Sequence, residues 1–332
     1  MNYKAIIAKK INKDRPHYEQ CTLNMNKLKE QPGVIIENKY TAFSRFDAFT
    51  MAGKWHDNIY PVQPGTDVVG VVKYSSSPAF REGDEVVATG LGLGFKKPGG
   101  FSTYVNVPEN EVLTIPVGLS MLQTAILGSA GIGAGLAIFE LVKYVNSGAN
   151  IAITGATCDS GAISTALFAY LGYNVTAFVP KLKTDEGYAK QLGAMDVKEL
   201  DELDKLNEGS KRKKQLPLAS YEGAFDHVGG LPLSNLLRQV IPSATVCTCA
   251  YDNSFSTELT PFFWRGINLS GINPFYAPLD TKLDIWRRLS GDWKIENLEW
   301  LYTEISLDEM DEHLPALLNG DTKGRIIINH SL

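Results

Sequence analysis

The stretch that most limits what this chain can fold into covers residues 151–170. An apolar segment at 150–154 leads into a tight turn at Gly155 and Ala156. A helix opens near Ser160 and Gly161, with Ile163, Leu167 and Tyr170 at helical spacing. A strand, a turn of small residues and a helix, in that order, build a seat for a dinucleotide pyrophosphate. Such a turn wants a small residue at the first bend, glycine where the backbone nears the phosphates, and glycine where helix meets strand. Ala156 and Gly161 fit the first and last places, Cys158 stands in the middle one, and Asp159 adds a carboxylate beside the expected phosphates. Backbone N–H groups and the macrodipole at a helix start favour anions. Gly155, Ala156, Thr157, Cys158, Asp159, Ser160 and Gly161 are therefore the candidate phosphate contacts. Asp159 carries two readings. Its carboxylate caps the free N–H groups of the helix, or it repels the phosphates and weakens dinucleotide binding.

The choice of dinucleotide falls about 20 residues later, at the end of the next strand, where an acidic residue holds a ribose diol. Residues 178–183 offer Lys181 and Lys183 instead, which favours the 2′-phosphorylated form, NADP(H); the alternative is a pair of exposed loop lysines.

At 332 residues the chain exceeds the size at which one core keeps growing, so two domains are expected. Residues 3–8, 34–43, 64–72, 83–88 and 101–107 read as strands joined by short turns, and the segment between the first two reads as polar and turn-like. From Ser120 the pattern changes. Helices at 161, 185–192 and 232–240 alternate with strands at 151, 174–179, 223–226, 245–249 and 267–272, which predicts a doubly wound parallel sheet. The expected fold class is α/β: a Rossmann-type parallel-sheet domain at 123–275 and a mainly β domain at 1–122. Residues 276–332, with Trp286, Trp293, Trp300 and a closing strand at 325–329, complete the mainly β domain.

A net charge of -5 gives no general electrostatic reason to bind nucleic acid. The basic run Lys211-Arg212-Lys213-Lys214 reads as a solvated loop. Cys21, Cys158, Cys247 and Cys249 make neither a zinc spacing nor a disulfide framework. Cys247 and Cys249 fall on one strand face and read as small core fillers in a reducing compartment. Residues 125–142 are apolar, but Gly128, Gly131, Gly133, Gly135 and Glu140 favour a buried helix over a membrane span. With no signal-peptide pattern visible, a cytoplasmic protein with neither membrane nor nucleic-acid partner is expected. His56, His227, His313 and His330 lack metal-like spacing and read as structural or exposed.

A series of short landmarks follows in fixed order: Pro64-Gly65-Thr66-Asp67-Val68-Val69-Gly70, Phe80-Arg81-Glu82-Gly83-Asp84-Glu85-Val86, Gly99-Gly100-Phe101-Ser102-Thr103-Tyr104, Leu127-Gly128-Ser129-Ala130-Gly131, Ile153-Thr154-Gly155-Ala156, Leu192-Gly193-Ala194, Phe225-Asp226-His227-Val228-Gly229-Gly230 and Lys323-Gly324-Arg325. Over residues 64–325 this series resembles the medium-chain dehydrogenase/reductase superfamily, in its zinc-free quinone oxidoreductase-like branch, which includes acrylyl-CoA reductases. The resemblance implies a GroES-like catalytic domain beside the Rossmann domain, NADP(H) as cofactor and no zinc. It also implies a small-molecule substrate, an enone, quinone or enoyl thioester whose activated double bond is reduced by hydride transfer.

The same resemblance implies Ser129, Ala250 and Tyr251 at the nicotinamide side, Asn273 after the last strand, and Arg325 near the phosphates. Zinc members carry a Cys and a His where this chain has the region of Ser44 and Arg45, and Thr66, and a four-cysteine zinc loop is missing. The branch's Asn-Tyr-Lys-Asp motif is replaced by Ser44-Arg45-Phe46-Asp47, of which only the Asp remains. Reduction needs a donor at the carbonyl oxygen and a proton source. Ser44, Arg45 and Asp67 are the candidate catalytic residues: Arg45 as fixed charge, Ser44 as hydroxyl donor, and Asp67 with Asp47 ordering turns or positioning Arg45. Arginine does not readily serve as an acid, which leaves bulk water as the proton source. Phe95, Phe262, Trp264 and Tyr276 are expected in the substrate pocket. A homodimer is implied, with residues 267–272 continuing the sheet across a twofold axis. The altered glycine turn and pocket motif support a second reading, a binding or regulatory module with weakened cofactor affinity.

Overall fold

The computed structural model describes residues 1–12, 15–54, 59–203, 205, 216–251 and 254–332; His56 and the basic run at 211–214 lie outside the described residues. The chain divides into two compact units, Met1–Ser129 with Phe275–Lys294 and Leu301–Leu332, and Ala130–Pro274 with Ile295–Trp300. Trp286 and Trp293 thus belong to the first unit and Trp300 to the second.

The first unit is mainly β. Its larger sheet runs Tyr302–Ile305, Arg325–Asn329, Val34–Phe43, Asp67–Ser75, Glu85–Thr89 and Leu113–Thr114, and Tyr104–Val107 also pairs with Val34–Phe43. Alternation along these strands sends Val34, Ile36, Val68, Val72, Val86 and Val105 into one apolar layer. Phe43, Met51, Phe101, Leu317, Ile326 and Ile328 fill another. The segment expected to be a turn is instead a strand, Arg15–Asn24, antiparallel to Asn2–Asn12, with Ala5 opposite Cys21 and Ile6 opposite Gln20. Ile6 and Ala5 are buried on opposite faces of this ribbon, Ile6 with Phe43 and Ile326 and Ala5 with Tyr3 and Met25, while Gln20 and Thr22 of the second strand are exposed. A strand on the wet side of a two-stranded ribbon needs no apolar run, so its composition resembles a loop.

The second unit carries six parallel strands ordered Asp196–Glu199, Asn174–Val179, Asn150–Thr154, Tyr221–Asp226, Val240–Thr248 and Asn268–Gly271. Helices Asp159–Tyr170, Leu182–Gln191 and Gly230–Leu237 lie between successive strands. This is the doubly wound order, and its direction reverses between Asn150–Thr154 and Tyr221–Asp226. Ligands of such sheets bind outside the carboxyl ends of the strands at that reversal. Leu233, Leu236, Val240, Val246, Phe178 and Ala224 form the core on one face of the sheet.

The apolar helix spans Met121–Leu141, with 78% of its apolar window buried inside the protein. It breaks at Gly128, where φ is 43° and ψ is -144°. A Cβ there would stand 2.4 Å from Asp67 Oδ2, so both the dihedral and the space demand glycine. The division between the units follows directly, after Ser129.

Candidate active site

The carboxyl edge of the second unit's sheet gathers most of the expected cofactor residues. Gly155 bends the chain with φ of 61°, and the Ala156 N–H donates to Phe178 O on the neighbouring strand at 3.2 Å. Gly161 is required by contact: a Cβ would lie 2.0 Å from Gly155 O. Thr157 is buried. Cys158 is the N-cap of the helix in extended conformation and makes no side-chain capping bond. Asp159 opens the helix with φ of 33°, a left-handed value for a residue with a Cβ. Cys158 holds the N-cap position and Asp159 the first turn. There its carboxylate acts on the macrodipole.

Beyond the turn, Lys181 caps the helix after the second strand, its N–H donating to Asp185 Oδ2 at 3.1 Å. Lys181 and Lys183 are both exposed. Ala250 and Tyr251 follow the end of Val240–Thr248; the Ala250 N–H donates to Thr248 Oγ1 at 3.3 Å, and Tyr251 is exposed. Asn273 lies just past the edge strand and is exposed.

Two residues that were not among the expected site residues, Asp226 and His227, occupy the reversal point. The buried Asp226 carboxylate accepts from Thr154 Oγ1 at 2.7 Å, Thr248 Oγ1 at 2.8 Å, Gly229 N–H at 3.0 Å and Val228 N–H at 3.3 Å. Burial raises its pKa, and these donors pull the other way. It ties together the carboxyl ends of three strands. His227 Nδ1 lies 3.1 Å from Ser160 Oγ and 3.0 Å from Cys249 Sγ. Its Nε2 is buried with no hydrogen-bond partner among the described residues. Burial lowers the ring's pKa to about 3, so it is neutral. The two nearby cysteines part company: Cys247 is a core filler with Sγ 3.9 Å from Ala137 O, whereas Cys249 leaves the strand to face His227. Burial pushes the Cys249 thiol pKa up, so it is no thiolate.

These residues fit a dinucleotide. The bend is made of small residues, the closing glycine admits close packing, the helix start lacks a side-chain cap, and an orphaned polar atom, His227 Nε2, lies beside it.

The first unit holds the other expected residues. Ser44 and Asp47 form a capping box: Ser44 Oγ donates to Asp47 Oδ2 at 2.6 Å, and the Ser44 N–H does so at 3.0 Å. Asp47 Oδ1 accepts the N–H groups of Gly65 and Thr66, both at 3.1 Å. Burial pushes its pKa up to about 7 against these donors. Asp47 therefore orders the 65–66 turn, and Ser44's hydroxyl is spent on the cap. Arg45 packs its guanidinium 4.9 Å over the Phe49 ring and 3.5 Å from Leu318 O.

Asp67 Oδ2 instead receives Arg325 Nη2 at 3.2 Å, Ser129 N–H at 3.0 Å and Ser129 Oγ at 3.1 Å. Burial raises the Asp67 pKa, and the guanidinium and Ser129 oppose it. Arg325 was expected near the phosphates. It is 1% exposed and paired with Asp67, which makes it part of a buried network. Phe95 and Tyr276 join Phe46 and Phe275 in an aromatic group of the first unit. Phe262 and Trp264 lie on the helix Thr260–Arg265 of the second unit, Phe262 against the sheet core and Trp264 exposed. Among the described residues no three His, Cys, Asp or Glu side chains gather as a metal-holding group.

A mainly β unit and a doubly wound unit with a phosphate turn at its reversal point define the architecture of the nucleotide-dependent dehydrogenases and reductases. Residues 30–117 match the alcohol dehydrogenase GroES-like domain family. The chain is 33% identical over 304 residues to the putative quinone oxidoreductase YhfP of Bacillus subtilis, covering 89% of this chain and 90% of YhfP. It is 32% identical over 276 residues to the acrylyl-CoA reductase AcuI of Ruegeria pomeroyi, 81% of each chain. The crystal structure of yhfP with NAD bound superposes with a TM-score of 0.89 at 30% identity, covering 99% of each chain. The yhdH oxidoreductase of Salmonella enterica in complex with NADP gives 0.89 at 27% identity, also over 99% of each. The chain belongs to the medium-chain dehydrogenase/reductase superfamily, in the branch of YhfP and AcuI.

Proposed function

We propose that this chain is an NADP(H)-dependent oxidoreductase that reduces an enone, a quinone or an enoyl thioester without zinc. The observation that carries the reading is the phosphate turn. Gly155, Ala156 and Gly161 keep its bend at the sheet reversal, in a chain 33% identical to a putative quinone oxidoreductase over 304 residues. Likeness to an acrylyl-CoA reductase supports the enoyl thioester. Lys181 and Lys183 support a 2′-phosphate, as does the NADP complex of the Salmonella relative; the NAD complex of yhfP is the competing precedent.

When bound, the nicotinamide supplies the hydride. Backbone N–H groups at the start of the helix would hold the pyrophosphate, those of Cys158 and Gly161 being already bonded to Gly155 O and Cys158 O, and Asp226 keeps the surrounding strand ends in register. Charge that develops on the substrate oxygen needs a fixed donor. Arg45, partly exposed at the start of its helix, fills that role in this reading. Ser44, Asp67 and Arg325 are buried and act as positioning residues. Arginine does not release its proton, so water supplies the one that completes reduction. The edge strand Asn268–Gly271 is the proposed pairing edge of a homodimer. One observation favours the second reading, a binding module of weakened affinity: Asp159 places both backbone strain and a negative charge in the turn.

The test is NADPH consumption, followed by nicotinamide absorbance, with an enone, a quinone and an enoyl thioester in turn. Turnover with one of them is expected, and Lys181→Ala with Lys183→Ala raises KM for NADPH more than for NADH. Intact NADPH binding without turnover on any of the three supports the binding module instead.

A further inference from the structure

We propose that His227 is the positioning residue that holds the altered phosphate turn in its binding conformation, by latching Ser160 to the ends of the neighbouring strands; this rests on the dinucleotide reading of that turn. The need for a latch begins at Asp159. A φ of 33° is open to glycine and strained for a residue with a Cβ. A turn built on such a residue drifts toward other conformations unless its surroundings hold it. Ser160 follows immediately, and its hydroxyl lies 3.1 Å from His227 Nδ1.

His227 is well placed to hold that hydroxyl because it is itself held from several sides. Its N–H donates to Thr154 Oγ1 at 3.1 Å, on the strand that enters the turn. It directly follows Asp226, whose carboxylate binds Thr154 and Thr248. Its ring packs on Phe225 with centroids 4.2 Å apart. Cys249 Sγ, from the end of the adjacent strand, meets Nδ1 at 3.0 Å. The imidazole thereby ties the first turn of the helix to Phe225 and Cys249, and the backbone N–H of the same residue adds the strand that ends at Thr154. Shielding from water strengthens such a hydrogen bond. Ser164 Oγ, one turn on, bonds Ser160 O at 2.9 Å and steadies the same residue from within the helix.

The full-length protein tests this with two readouts: NADPH Kd from fluorescence quenching, and amide hydrogen exchange of residues 158–161 without cofactor. His227→Ala is expected to weaken NADPH binding about five-fold, the scale of one hydrogen bond, and to speed exchange in the turn. His227→Asn, whose amide can accept or donate a hydrogen bond close to the Nδ1 position, recovers most of both. Ser160→Ala reproduces the loss, and combining it with His227→Ala adds nothing further. In an Asp159→Gly background, where the turn needs no support, His227→Ala costs less than about two-fold. Wild-type affinity and exchange in both His227→Ala and Ser160→Ala overturn the latch while leaving the dinucleotide reading intact. Failure of the wild type to bind any dinucleotide overturns that reading, and the exchange comparison then decides the latch alone.

Discussion

Replacing Asp159 by glycine is expected to tighten NADPH binding while leaving stability almost unchanged. Relief of a left-handed backbone at a residue with a Cβ is worth about 1–2 kcal/mol. Against it stand the loss of an acid in the first helical turn, about 0.3–1 kcal/mol, and the freer unfolded chain of a glycine variant, about 0.4–1 kcal/mol. These terms nearly cancel. The electrostatic term has no such opponent. For a partly exposed carboxylate roughly 5 Å from a phosphate charge, an effective dielectric between that of a protein surface and that of water gives a repulsion of about 1–3 kcal/mol. Removing it improves Kd by roughly five- to hundred-fold. Titrations at low and high salt measure the gain, which shrinks as salt screens the pair. Asp159→Asn removes the charge, keeps a side chain in the strained position, and is expected to share most of the gain. Unchanged affinity in both variants at low salt refutes the placement of this carboxylate beside the phosphates.

The packed positions give further expectations. Gly161→Ala drives a Cβ to 2.0 Å from Gly155 O, so the turn must open, and loss of measurable NADPH binding is expected by titration. Arg325→Leu leaves Asp67 buried with its guanidinium removed and is expected to cost about 3–5 kcal/mol in denaturant melts; adding Asp67→Asn restores part of it. Lys282 is 1% exposed, with Nζ donating to Thr89 O at 2.6 Å, and burial lowers its pKa from 10.5 to about 8. Between those values the unfolded chain binds more protons, so this lysine makes stability rise with pH from about 8 to 10.5, by about 3 kcal/mol in all. Lys282→Met is expected to flatten that rise in melts taken across the window.

The doubly wound unit is legible in the sequence because its central strands Asn150–Thr154, Asn174–Val179 and Tyr221–Asp226 are buried along nearly their whole length and read as apolar runs, with helices between. The landmark series from Pro64 to Arg325 carries the family resemblance for another reason: its turn glycines and their neighbours are local in sequence and follow in a fixed order. The strand Arg15–Asn24 is not legible, since a wet ribbon edge has no apolar period to display. Site residues divide along similar lines. The 155–161 turn is local in sequence, so its bend and its foreign carboxylate can both be read directly. The network of Asp67, Ser129 and Arg325 joins residues up to 258 positions apart, and nothing in a linear pattern reports such a meeting. Arg325 is placed near the phosphates by resemblance alone, and its pairing with Asp67 could not be read because the partner lies far away in sequence. His227 looked inert for a related reason: Ser160 and Cys249 reach its ring only through the order of parallel strands.

The central claim, that the altered turn still seats a dinucleotide, is tested most directly by titrating the full-length protein with NADPH and NADH while following tryptophan fluorescence. Saturable quenching at micromolar NADPH, with weaker binding of NADH, is the expected result. Absence of quenching by either dinucleotide at millimolar concentration, confirmed by calorimetry, contradicts it.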